Sequence, residues 1–128
     1  MTEQELKTRT KEFSLRVLRM VEALPKGMIA DVLGRQVVRS ATSVAANYRA
    51  VCRARSRADF VAKLGLVEEE ADETAFWLEM VVDAGLLPAG KISALRQEVD
   101  ELTAIFVSSL KTARAGRSNP NSKIENPK

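Results

Sequence analysis

Along most of this chain, apolar and small residues recur at alternating steps of four and three. The series run Leu6, Thr10, Phe13, Val17, Met20, Leu24; then Leu33, Val37, Ser40, Val44, Asn47, Val51; then Phe60, Leu64, Val67, Ala71, Thr74, Leu78, Val81; and finally Ile92, Leu95, Val99, Leu102, Phe106, Ser109. A strand buries every second residue, so this spacing belongs to helices. Breaks fall at Pro25-Lys26-Gly27, at Arg55-Ser56 and between Gly85 and Gly90, with Pro88 inside. They leave segments of roughly 20 to 28 residues, or about 30 to 40 Å of helix each. Connections this short force antiparallel neighbours, so the expected fold is all-α, an up-down-up-down four-helix bundle over residues 1–115. Ser56 followed by Asp59 reads as a capping start to the third helix, and Gly85 as its stop.

From Gly116 to Lys128 the pattern is gone. Arg117 to Lys128 has two prolines, three asparagines and one aliphatic residue, which predicts a disordered basic tail over 116–128. The chain has no run of about 18 apolar residues, and its first dozen residues are too charged for an exported leader. It is read as a cytoplasmic protein with no membrane segment.

Composition excludes chemistry. With no histidine, the chain lacks imidazole bases and imidazole metal ligands, and its single Cys52 permits neither disulfides nor thiolate clusters. Neither a cofactor nor a metal is expected, and an enzyme is not. Glu70 and Glu73, an acid pair beside Trp77, are the nearest thing to a reaction centre, but nothing supplies a nucleophile. An ion pair or hydrogen bond to Arg39, Ser40 or Ser43 explains them better, because a pivot near Arg55 sets position 39 opposite about position 72.

Charge is segregated. Of 20 Lys plus Arg and 17 Asp plus Glu, six arginines and no acid fall between Val32 and Ala58, and seven acids with no base between Glu68 and Asp83. At about 100° per residue, Arg35, Arg39, Arg49 and Arg53 share an outward wedge of the second helix. With Arg55 and Arg57 they form a candidate nucleic-acid surface, because guanidinium groups one turn apart suit successive phosphates. Beside them, Gln36, Ser40, Ser43 and Asn47 form a polar flank that, with Glu70 and Glu73, is expected to set helix register. On the third helix Leu66, Phe76, Trp77 and Met80 lie off the core seam, a patch suited to a second chain. The neighbouring Glu68, Asp72, Glu79 and Asp83 form an acidic stripe that a partner's arginines would complement head to tail.

Two stretches, RSATSVAANYR at Arg39 to Arg49 and ARSRADFVAKLGLVEEEADETAFWLEM at Ala54 to Met80, resemble the bacterial four-helix bundle proteins also called 23S rRNA intervening-sequence proteins. The likeness spans roughly Lys11 to Leu110. It implies an antiparallel bundle assembling into a ring, a pentamer, with no catalytic activity. Similarity to the accessory proteins of diversity-generating retroelements implies association with nucleic acid. The leading expectation is a homo-oligomer that binds RNA through its outward arginines. The alternative is a scaffold or adaptor whose charged faces serve subunit and protein-partner contacts.

Overall fold

The computed structural model describes residues 1–116, and the predicted tail, Arg117 to Lys128, lies outside the described residues. Four helices follow in order: α1 (Glu3–Glu22), α2 (Met28–Val51), α3 (Arg57–Asp83) and α4 (Ala89–Arg114). Each is an antiparallel neighbour of the one before it, and the chain forms an all-α four-helix bundle.

Local chemistry sets the helix ends. Thr2 Oγ1 accepts from the Glu5 N–H at 3.1 Å while the Glu5 carboxylate accepts from the Thr2 N–H at 3.3 Å, a reciprocal cap on α1. The α3 start is a variant. Ser56 Oγ accepts from the Asp59 N–H at 3.0 Å, but the Asp59 carboxylate reaches past Ser56 to the Arg55 N–H at 3.1 Å. Gly85 ends α3 with φ 75°, which lets its N–H donate to the Val82 carbonyl and the Leu86 N–H to the Val81 carbonyl. A side chain there would be strained.

Every residue of the predicted α3 and α4 seams is buried. On α1 and α2 the exceptions are Leu24 and Asn47, which are half-buried. Phe13, Val17, Val37, Val44, Leu78 and Phe106 are fully enclosed at the centre, and Tyr48 packs against Phe106 with ring centroids 6.0 Å apart. The α2–α3 interface is the most extensive and α1–α4 the least. Arg9 bridges the thinner seam: its guanidinium donates to Glu98 at 2.6 and 2.9 Å and to Glu101 at 3.1 Å. Those bonds, Glu98 first, raise its pKa above the ordinary arginine value. Gly34 lets α1 approach α2, since a Cβ there would stand 3.1 Å from Val21 Cγ1. Among the described residues no helix is long and apolar enough to cross a membrane.

Candidate nucleic-acid interface and the polar seam between α2 and α3

The polar flank of α2 meets α3 where the hairpin pivot requires. Arg39 donates to Glu70 at 3.4 Å and to Glu73, and Trp77 Nε1 donates to the same Glu73 oxygen at 3.1 Å. One helical step inward, the Thr74 hydroxyl donates to Ser40 Oγ at 2.9 Å, with both residues fully buried. These contacts set the α2–α3 register. They also answer the carboxylate pair: Glu70 and Glu73 face a guanidinium and an indole N–H. Gln36 joins the network as an acceptor from Arg39 at 3.3 Å. Ser43 and Asn47 do not join it. They are half-buried, and neither makes a side-chain hydrogen bond among the described residues. Thr74 falls on the apolar seam, where the spacing alone gives no sign of its bond to Ser40. Ser14 of α1 makes a separate link to α2 by donating to the Ala41 carbonyl at 2.9 Å, and carries no sequence signal beyond being small and close to the seam.

The six candidate arginines do not form one stripe. Arg39 is engaged by α3. Arg35 and Arg49 are exposed on α2 about 21 Å apart, with Arg35 lining the open groove over α1 beside Val21 and Leu24. Because α2 ends at Val51, Arg53 lies beyond the helix and shares no helical wedge with the others. Arg53 and Arg55 occupy the α2–α3 turn, and Arg57 opens α3. The antiparallel order brings the last turn of α4 to this same end of the bundle, adding Lys111 and Arg114. Ser56, Arg57, Ala58, Val61, Ala62, Ala113 and Arg114 line one open groove there. Among the described residues, none of these five cations takes part in an ion pair. Asp59, one of the acids at this end, is held by Lys63 at 2.8 Å and by the Arg55 N–H, bonds that keep its carboxyl below the usual range. Lys111 and Arg114, 54 or more positions from the arginine run, could be added to it only once the topology was known.

Beneath this basic end the thiol of Cys52 is pushed up to about 11, by burial first and then by the Glu3 carboxylate. Burial likewise raises the Tyr48 phenol, with Cys52 the next cause. Positive charge on the surface does not activate this cysteine, because the layer under it is apolar and carries its own carboxylate.

The four residues of the predicted apolar patch do not share one exposed surface. Phe76 is 49% and Leu66 53% exposed, whereas Trp77 and Met80 pack partly into the core. Trp77 is held one turn back along its own helix, where its indole N–H donates to the Glu73 carboxylate that also accepts from Arg39 of α2. Leu66 lies about 15 Å from Phe76 along α3, with the Arg39–Glu70–Glu73 bridge between them. Ile29 and Val32 of α2 are also exposed. Val32 precedes Arg39 by two turns on the same helix face, and Met80 follows Glu73 by two turns, so the established register sets Ile29 and Val32 alongside Phe76, Trp77 and Met80. Phe76 and Trp77 form an edge-to-face pair with centroids 4.9 Å apart. Glu68, Asp72, Glu79 and Asp83 follow the helical repeat from Val61, which lines the groove against α4, and Phe76, four residues after Asp72 and three before Glu79, borders this acidic row. None of the four takes part in an ion pair among the described residues.

The fold and these surfaces can be set beside known proteins. The family described as 23S rRNA-intervening sequence protein matches residues 2–108. The chain belongs to that family. A solved structure from the S23 ribosomal protein family, a protein of unknown function from Bacteroides thetaiotaomicron, is similar at 31% identity with a TM-score of 0.77. The match covers 84% of this chain and 99% of that one, so the intervening-sequence bundle is shared over the whole length of its relative. No curated protein matches. Residues 2–108 take in the α2–α3 polar seam and most of the basic end, but stop short of Lys111 and Arg114.

Proposed function

We propose that this intervening-sequence protein is a non-enzymatic, self-associating bundle that binds RNA by phosphate contacts at its basic end. One observation carries the reading: Arg53, Arg55, Arg57, Lys111 and Arg114 converge from the α2–α3 turn, α3 and α4 with no ion pair to neutralise them among the described residues. Unpaired cations at one pole attract a polyanion and release its condensed counterions on binding. The family description, which refers to an intervening sequence of 23S rRNA, agrees with RNA as that polyanion. Arg35 and Arg49 extend the positive surface along α2.

Self-association is assigned to the opposite half of the α2–α3 face. Ile29, Val32 and Phe76 are exposed there beside partly buried Trp77 and Met80, the composition of an interface core. Head-to-tail contact of this region with a different face of the next copy closes a ring where the rotation permits, with the acidic row of α3 complementing a neighbour's arginines.

A second reading, a scaffold whose charges all serve protein contacts, draws support from Arg39, which is already paired with acids. Measuring RNA affinity and molar mass on the same variants separates the two. Under the RNA reading, Arg53→Glu with Arg55→Glu weakens binding at least about tenfold and flattens its salt dependence, while mass stays constant. Under the scaffold reading the same change lowers the mass. Absence of RNA binding by the wild type at low salt would refute the proposal.

A further inference from the structure

We infer that the ligand of the basic end is a base-paired stretch of RNA held by its two phosphate backbones, and not an extended single strand. This rests on the RNA-binding reading above and adds the form of the nucleic acid. Its first ground is the layout of the charges. Arg53 and Arg55 sit on the turn, Arg57 on α3, and Lys111 and Arg114 on α4, whose axis lies about 8–10 Å from its neighbour. The cations therefore cover an area. A single strand calls for a linear track, whereas a duplex offers two phosphate rows flanking a groove.

The second ground is what this end lacks. Sequence-tolerant binding of single strands depends on aromatic platforms for unstacked bases. Phe13, Phe60, Phe106 and Tyr48 are buried, and exposed Phe76 with its edge-to-face partner, half-buried Trp77, begins about 28 Å along α3 from Arg57. Residues 51–58 and 110–116 include no aromatic or histidine, so among the described residues no exposed stacking group stands beside the cations, and Gln4 at the start of α1 is an exposed amide at this end. Guanidinium and ammonium groups without stacking companions read backbone charge and spacing.

The test uses the full chain, two RNA duplexes of unrelated sequence and about 20 base pairs, and unstructured single strands carrying the same total number of phosphates. Fluorescence anisotropy is followed as salt rises. The expected result is duplex binding at least about fivefold tighter, alike for both sequences, and weakening steeply as salt rises. Arg57→Glu with Arg114→Glu should lower duplex affinity more than about tenfold. Arg53→Gln with Lys111→Gln, a milder pair on exposed side chains, should lower it in the same direction if the first pair disturbs folding. Equal or tighter binding of single strands, or a marked preference between the two duplex sequences, would overturn the inference while leaving RNA binding intact. Failure of every RNA to bind at low salt would instead overturn the RNA-binding reading itself.

Discussion

The two halves of the α2–α3 hairpin are built from the same helices and present opposite surfaces. Near the turn, cations stand without ion-pair partners among the described residues, over buried Tyr48 and Phe60 and half-buried Cys52. Toward the other end, Ile29, Val32 and Phe76 stand exposed beside Trp77 and Met80. Between them, Arg39, Glu70, Glu73 and Trp77 form a closed polar bridge. The contrast teaches that an arginine's sequence neighbours do not decide its role. Arg39 meets carboxylates because α3 presents Glu70 and Glu73 at its height, and Arg53 meets none because the turn lies below the acidic stretch of α3.

The largest effect should come from breaking the core that both halves share. Phe106→Ala removes a fully buried ring from against Tyr48 and should cost about 3–5 kcal/mol in denaturant unfolding, weakening both surfaces together. If RNA affinity fell while stability did not, the two halves would be coupled by something other than the core.

Val32→Ser combined with Phe76→Ser should sharpen the comparison from the apolar side. Both side chains are about half exposed, so stability should change by no more than about 0.5 kcal/mol per site while light scattering shows a drop in molar mass. An unchanged mass would remove self-association from this region.

The thiol tests the layer beneath the basic end. With its pKa pushed up to about 11, Cys52 should alkylate at pH 8 on the order of 100-fold more slowly than an unperturbed cysteine, provided its access is equal. The sign for stability follows from the same shift. The folded protein holds this proton more tightly than the unfolded chain, so the contribution is complete below pH 9 and is lost as pH rises toward 11. Cys52→Ser should reduce the alkaline loss measured by melting at pH 8 and pH 10.

The smallest effect is expected at the bridge. Arg39 is about half exposed, and after solvent screening its pairing with Glu70 and Glu73 contributes about 0.5–1 kcal/mol. Arg39→Ala should therefore shift the melting point slightly and alter Trp77 fluorescence through Glu73, with little change in RNA affinity. A loss of affinity matching that of the Arg53 and Arg55 variant would erase the distinction between the two regions.

What could be read in advance was whatever depends on residues near one another along the chain. Helical period, capping at Ser56, the stop at Gly85 and nearly every core position belong to that class, because side chains three and four apart share a face whatever the partner. The pairing of Arg39 with Glu70 and Glu73 was also within reach, since a short turn fixes the register of a hairpin arithmetically. Tertiary structure alone decided the rest. Whether Trp77 covers the core or faces outward depends on how α2 packs beside α3, and whether Leu66 shares a patch with Phe76 depends on the bridge between them. Lys111 and Arg114 join the arginines of the turn only because α4 runs back to that end of the bundle. Surfaces are assembled from segments distant in sequence, and local periodicity carries no information about which segments meet.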